Sequence, residues 1–462
     1  MLAKFKKKYI GDWDFYQKYL LLAIPMILQN VITNLVSFLD NIMVGQLGTE
    51  QMSGVAIVNQ LIFVYNLAIF GAVSAASIFG AQYFGKGNHK GHMYSFRFKL
   101  YATLLVTGGA ILLFLTKGSA LISLYLTDTV GNGATDLALQ YGLEYLAIMM
   151  VGLIPFAVNQ SYATNIKETG QTFIPMLASF VAVGTNAILD YLMIFGIGPF
   201  PELGVQGAAL ATVIARYIEA LIVVIWAHIH RGKNRYLEGA YTGFGIPLAE
   251  LKAILIKGFP LMMNEVLWAA GMTTVTQCYS VRGLDVVAGL NIASTITNLF
   301  NIVYLQLGSC ISIVVGQYLG AGKLEDAKDA DNKMIVFSVF CCVIMAALMF
   351  VVGGFFPGIY NTTEEIRELA TSFIAVSAII MPFCAFSHAS YFTLRSGGKT
   401  VVTFLFDSVF TWVIVVPAAY LLAHFTGLGI VSIYFLVQGT ELIKVIIGYL
   451  MVKSNVWVVQ MV

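Results

Sequence analysis

The sequence predicts an all-α integral membrane protein, with twelve transmembrane helices in two six-helix lobes related by pseudo-two-fold symmetry along the membrane normal. Three observations carry that expectation. The 462 residues are 58% hydrophobic and 11% charged, with a mean hydropathy of +0.82, whereas soluble domains carry roughly 25% charged residues. The apolar runs exceed the ~20 residues that a helix needs to cross the hydrocarbon core. A pattern of prolines, glycines and one short motif occurs twice along the chain. In lipid the backbone must satisfy its own polar groups, and the runs lack the alternation of barrel strands, so they are helices.

The expected spans are 17–45, 52–80, 98–122, 137–163, 172–197, 204–229, 250–280, 285–315, 332–356, 366–393, 400–425 and 428–452. The first is too long for a cleaved signal peptide and has no cleavage-site pattern, so it is retained as structure. Net charge is only +2, but its distribution sets a topology. Lys4, Lys6, Lys7 and Lys8 precede the first span, and Lys86, Lys90, Arg97 and Lys99 follow the second. Arg231, Lys233, Arg235, Lys252, Lys257, Lys323, Lys328, Lys333, Arg395, Lys399 and Lys453 fall on that same side. The opposite side has Lys117, Arg282 and Arg367 among Glu50, Asp128, Asp136, Glu202, Asp285, Glu364 and Glu365. The positive-inside rule then places both termini in the cytoplasm, with the chain in the plasma (inner) membrane. The basic loops are topological anchors, and nucleic acid is not an expected partner. Cys278, Cys310, Cys341, Cys342 and Cys384 all lie within spans, where they read as small apolar fillers and not as a disulfide framework or zinc site.

The repeat has a constant displacement of 235 residues: Pro25 meets Pro260, Gly48 meets Gly283, and Gly54 meets Gly289. The Gln-Tyr-x-Gly-x-Gly of Gln82–Gly87 meets the same pattern at Gln317–Gly322. After small length changes Thr169–Thr172 resembles Gly397–Thr400, and Gly207 and Glu219 resemble Gly429 and Glu441. The organisation is an N-terminal lobe over 1–229, an inter-lobe linker over 230–250 and a C-terminal lobe over 251–462. With an even number of spans in each half the repeats are parallel, an architecture suited to alternating access. Pro25 and Pro260 remove a backbone donor at equivalent places, which permits a bend there, as static packing or as a hinge.

Ionisable groups inside the spans are expensive, so each is a functional candidate. They are Asp40, Asp190, Arg216, Glu219, Glu265, His388, Asp407, Glu441 and Lys444. Asp40 lies eight residues before Gly48, Asp190 eight before Gly198, and Thr212 eight after Gly204. At ~1.5 Å per residue all three sit about 12 Å below the outer surface. Asn186 is one turn from Asp190, and Asn30, Thr33, Asn34, Ser37, Asp40 and Asn41 make a polar stripe on the first helix. Neither Asp40 nor Asp190 has a basic residue three or four positions away. A desolvated carboxylate of this kind exchanges a proton near physiological pH or binds Na⁺ instead, since either ligand neutralises it. In the second half Glu265, His388 and Asp407 share a depth near the cytoplasmic face, a candidate coupling cluster. Arg216 with Glu219, and Glu441 with Lys444, are spaced to neutralise themselves on one helix face.

Gly398-Lys399-Thr400 lacks the first glycine of a phosphate-binding loop, since Thr393 occupies that place. No His-Glu-x-x-His, Gly-x-Ser-x-Gly or Cys-x-x-Cys occurs. Neither an enzyme nor a cofactor is therefore expected. Asn361-Thr362-Thr363 is a glycosylation sequon on the outer side.

Jointly these motifs resemble the MATE (multidrug and toxic compound extrusion) family of the MOP flippase superfamily. Asp40–Gly48 is similar to its first-helix signature, and Gln82–Gly87 with its repeat copy resembles the loops after the second and eighth helices. Thr169–Thr172 with Pro175, and Leu394–Gly398, resemble the loops after the fourth and tenth. The resemblance implies secondary active antiport: organic cations or drugs leave in exchange for H⁺ or Na⁺ by alternating access of two lobes. It implies an N-lobe coupling and substrate site of Pro25, Asn34, Asp40, Asn186, Asp190 and Thr212, with Na⁺ on Asp40 and Asp190 as the one metal reading. Glu265 lies on the seventh helix, where other relatives carry an acidic coupling residue, about a turn earlier than in the best-known members. Tyr65, Tyr141 and Tyr162 are candidates for stacking on a flat cation. The alternative is a flippase for lipid-linked sugars, which calls for several arginines inside the bundle, and Arg216 alone lies well inside. The expected partners are small organic cations and the lipid bilayer, and a monomer suffices.

Overall fold

The computed structural model describes residues 8–126, 132–243 and 245–462. Lys4, Lys6, Lys7 and Asp128 of the charge pattern lie outside the described residues. Among those described, twelve helices are long and apolar enough to cross a membrane. They are α1 Trp13–Gly45, α2 Thr49–Lys86, α3 His89–Ser123, α4 Asn132–Glu168, α5 Phe173–Ile194 and α6 Val205–Ile229. The others are α7 Leu248–Ser280, α8 Leu284–Gly320, α9 Leu324–Gly353, α10 Glu364–Ser396, α11 Thr400–Phe425 and α12 Ile430–Lys453.

Several helices outrun their apolar stretches. Hydropathy marks where the lipid-facing run stops, but the backbone hydrogen bonds continue through polar residues that bury themselves in protein. Thus α2 continues to Lys86 and α3 starts at His89, leaving a two-residue turn. Arg97 and Lys99, read from sequence as anchors beside a loop, are 6% and 0% exposed inside α3. Arg97 donates to the carbonyls of Ala240 (2.9 Å), Gly245 (2.7 Å) and Gly239 (2.7 Å), clamping the linker. That linker buries Tyr236 and Leu237 in an apolar cluster with Phe96, Ile166 and Val223. Arg282 donates to Ala423 O, Leu422 O and Thr426 O, satisfying the terminal carbonyls of α11.

Two helices are irregular. Helix α11 contains π-helical turns at Leu405–Val409 and Thr411–Val415. Pro417, which cannot donate to the carbonyl of Val413, follows directly and accounts for the second of these turns. Helix α12 is interrupted at Thr440, between Ile430–Gly439 and Glu441–Lys453.

The chain forms two compact units. The first comprises Ile24–Gly80 and His89–Lys252, and the second Met1–Ala23, Ala81–Asn88 and Ala253–Val462. Within the first, Val55, Val58, Ile62 and Ile69 of α2 pack with Phe114, Ile122, Met149, Leu153, Val205 and Val213 of α3, α4 and α6. Gly54 lets α2 meet α4: a β-carbon there would lie 2.8 Å from Gly142 N. Its repeat counterpart Gly289 lets α8 meet α10 at Leu369 and Phe373 in the second unit. Small residues of this kind allow close helix approach where lipid offers no hydrophobic drive to association.

The repeated Gln-Tyr-x-Gly motif has a clear packing role within the second unit. A β-carbon on Gly85 would overlap the carbonyl oxygen of Gln317, and one on Gly320 would overlap that of Gln82. The two copies therefore cross backbone against backbone. The Gln82 side chain then donates to Ser396 O (3.0 Å) and Val459 O (3.2 Å) and accepts from Met461 N (2.8 Å). Substituting Gly320→Ala is expected to force the crossing apart and to cost ~3 kcal/mol, because neither backbone can rotate out of the way. Thermal unfolding in detergent micelles checks this against Gly109→Ala, where a β-carbon meets nothing within 4 Å. Equal stability of the two variants would refute the packing argument.

Candidate functional site

In the first unit, α1 and α5 bring Asp40 and Asp190 together. The two carboxyl groups lie within interaction range of each other. Asp190 is 1% exposed. Neither of its oxygens has a hydrogen-bond partner among the described residues, and the same holds for Oδ1 of Asp40. Ionised carboxylates only accept hydrogen bonds, so two that face each other with these three oxygens unpaired are in conflict. One proton, or one cation, placed between them resolves that conflict. Asn186 lies a turn before Asp190 on α5 and donates to Thr212 Oγ1 of α6 at 3.4 Å, while Thr212 donates to Ala208 O at 3.0 Å. Tyr145, which donates to Asn59 Oδ1 at 3.3 Å, lies in electrostatic reach of both aspartates and of Arg216.

The other N-terminal candidates stand apart from this pair. Pro25 is buried within an unbroken α1, about four turns before Asp40. Asn34 is exposed and donates to Asn30 O at 2.8 Å. Asn30, Thr33 and Ser37 likewise bond back to carbonyls four residues earlier, which reconciles a polar stripe with an apolar environment. Tyr65 and Tyr162, candidates for stacking on a ligand, are each 4% exposed and already engaged. Tyr65 bonds Thr107 and Leu153 O, and Tyr162 bonds Tyr241 of the linker.

Arg216 and Glu219 turn to different partners instead of closing on each other. Arg216 donates to Gly152 O at 3.4 Å and lies 5.2 Å from the Phe156 ring centre. Glu219 accepts from Ser179, which itself receives Gln29 at 2.7 Å.

The second unit gathers Glu265, His388 and Asp407 into one electrostatic neighbourhood. The ion pair there joins different residues from those the helical spacing indicated. Lys444 Nζ binds Asp407 Oδ1 at 2.8 Å, and Glu441 Oε1 is buried with no hydrogen-bond partner among the described residues. Asn264 completes the Asp407 site by donating to Oδ2 at 3.0 Å, and its own oxygen accepts from Ser408 Oγ at 2.7 Å. His388 bonds Cys384 O at 2.9 Å and packs on Tyr304, with ring centres 4.7 Å apart.

Sequence reasoning missed two buried polar connections. Lys99 Nζ pairs with Glu168 Oε1 at 2.5 Å and also bonds Asn165, while His92 Nε2 meets Glu168 Oε2 at 3.3 Å. In the other half Thr393 donates to Asp331 Oδ1 at 2.5 Å. Each fastens the third helix of its half to the end of the fourth. The available signal is the adjacency of Lys99, Glu168 and Asp331 to apolar runs; of the three, the charge pattern names Lys99 alone, as an anchor after the second span.

Twelve apolar helices, with carboxylates buried inside them and few fixed partners, define a polytopic membrane transporter. The MatE family profile matches residues 25–192 and 260–421. The chain belongs to the MatE family, which places it among transporters and not enzymes. Similar proteins include the probable multidrug resistance protein NorM of Thermotoga maritima, 24% identical over 89% of this chain and 86% of that one. Another is the probable multidrug resistance protein NorM of Halalkalibacterium halodurans, 24% identical over 89% of this chain and 88% of that one. Among solved structures, a MOP superfamily transporter from Pyrococcus furiosus has a TM-score of 0.85 at 20% identity, over 96% of both chains. An outward-facing multidrug resistance MATE family transporter has the same values. These likenesses establish the fold.

Proposed function

We propose that the chain is a secondary active antiporter that exports organic cations and drugs in exchange for H⁺ or Na⁺, with Asp40 and Asp190 as the exchange site. The observation that carries this reading is the facing pair of carboxylates, Asp190 buried and Asp40 half-buried, three of whose four oxygens have no hydrogen-bond partner among the described residues. A proton, Na⁺ or a cationic substrate each supplies the missing positive partner, and only one fits at a time. Competition at one site links the inward ion to the outward substrate. A ligand drives the change between states only through different affinity for them. Asn186 and Thr212 line the same level of the bundle and orient the pair. Kinship to proteins described as multidrug resistance transporters supports the drug substrate class. The chain works as a monomer in the plasma (inner) membrane, with both termini in the cytoplasm. Glu265, His388 and Asp407 form a second charged cluster that adjusts coupling from the other half.

The test uses purified protein in liposomes loaded with a fluorescent organic cation, under an imposed proton gradient or an imposed sodium gradient. One gradient is expected to move the dye and so to name the ion. Asp40→Asn is expected to reduce dye movement to the protein-free leak. Gradient-driven movement at the wild-type rate in Asp40→Asn would refute the assignment of the pair.

A further inference from the structure

Helices α11 and α12 both depart from regular geometry where they face one another. Asp407 lies in the first π-helical turn of α11, and Lys444 lies one turn beyond the break at Thr440. Such local changes of register recur at functional sites. The Lys444 ammonium, on a side chain 9% exposed, rests on Asp407 at 2.8 Å. It also lies 5.5 and 5.9 Å from the ring centres of Phe406 and Phe410. A partly buried carboxylate, here 16% exposed at the side chain, with two aromatic faces is a recognition site for an organic ammonium. Here the chain's own ammonium fills it. A hard metal ion is a poorer match because it takes several oxygen ligands. What Asp407 meets besides Lys444 is the amide N–H of Asn264, a donor.

One turn before Lys444, Glu441 offers a second carboxylate. Its Oε1 is buried without a hydrogen-bond partner among the described residues, and Lys444 is within its electrostatic reach. One flexible four-carbon stem thus has an engaged carboxylate and an unengaged one available. We infer that Asp407, Phe406 and Phe410 form a second organic-ammonium site whose resident occupant is Lys444, and that Lys444 moves to Glu441 when a substrate ammonium takes Asp407. Departure of Lys444 alone would leave the partly buried Asp407 without a cation, whereas exchange gives both carboxylates one. His388 and Glu265, the latter beside Arg395, also face this group and set its local potential. The inference rests on the proposed export of organic cations and adds a site, distinct from Asp40 and Asp190, with an internal competitor.

The test is equilibrium binding of radiolabelled tetramethylammonium to the full chain in lipid nanodiscs without any gradient, both in the wild type and in an Asp40→Asn background. Removing the competitor with Lys444→Met is expected to tighten binding about tenfold in either background, because the competent state is no longer self-occupied. Lys444→Met/Asp407→Asn is expected to lose that gain. Glu441→Gln leaves Lys444 with no second seat and is expected to weaken binding several-fold. The inference is overturned if folded, monodisperse Lys444→Met binds no tighter than its parent. It is equally overturned if Glu441→Gln leaves affinity unchanged, an arm that decides the matter should Lys444→Met fail to fold. If gradient-driven export is absent but this order of affinities holds, the antiport reading fails and the site stands.

Discussion

Asp190→Asn is expected to abolish gradient-driven export while leaving the chain folded, and to raise its unfolding midpoint slightly. Both expectations follow from the same pair of atoms. In the wild type, Asp190 and Asp40 face each other, and three of their four oxygens have no hydrogen-bond partner among the described residues. Asparagine has nearly the same shape and brings an amide N–H that Asp40 accepts. A hydrogen bond to a charged group contributes about 1.5–3 kcal/mol, and an unsatisfied buried acceptor is relieved at the same time. The amide, however, cannot be displaced or titrated. Asp40 is then permanently satisfied, and neither ion nor substrate gains by arriving. Dye transport in liposomes and thermal unfolding in micelles read the two effects separately. Retained coupled transport would remove Asp190 from the mechanism. A large loss of stability would show that the carboxylate has a structural partner instead.

Lys99→Met is expected to be the most destabilising single substitution considered, at about 3–5 kcal/mol, because it leaves a buried carboxylate without its principal cation. Lys99 is 0% and Glu168 2% exposed at the side chain. The salt bridge is thus shielded from screening, unlike Lys328 with Glu325, whose carboxylate is 86% exposed. Gly80 supports the same site, since a β-carbon there would overlap Glu168. The double variant Lys99→Met/Glu168→Gln is expected to recover most of the loss, because it removes the stranded charge as well. The midpoint of the single variant should stay depressed from low to high salt. Wild-type stability in Lys99→Met would reduce the cluster to a packing feature.

The depth of Asp40 and Asp190 was legible in the sequence because a helix rises by a fixed amount per residue and turn glycines mark its ends. Counting eight residues from Gly48 and from Gly198 placed both carboxyls at one level, where they now face each other. Helix counting likewise groups Glu265, His388 and Asp407, which are electrostatic neighbours in the second unit. Counting along a helix says nothing about rotation against neighbours, however. The i,i+3 spacing therefore assigned Lys444 to Glu441, whereas the fold turns it onto Asp407. Asp407 lies in a π-helical turn of α11, a local change of register that no periodicity in the sequence announces. Asn264, whose amide fixes Asp407, was invisible for the same reason.

Composition and periodicity by themselves determined the membrane class, the number of spans and the duplication. Each follows from a one-dimensional quantity: hydropathy, helical rise, or self-similarity at a fixed displacement. Only the tertiary structure decided which charges meet. It buried Arg97 and Lys99 inside α3, closed Glu168 onto Lys99, turned Arg216 away from Glu219, and crossed the two copies of the glutamine–glycine motif backbone against backbone. The physical reason is that a buried polar group takes whatever partner close packing brings within 3 Å. Such partners come from residues far apart in the chain.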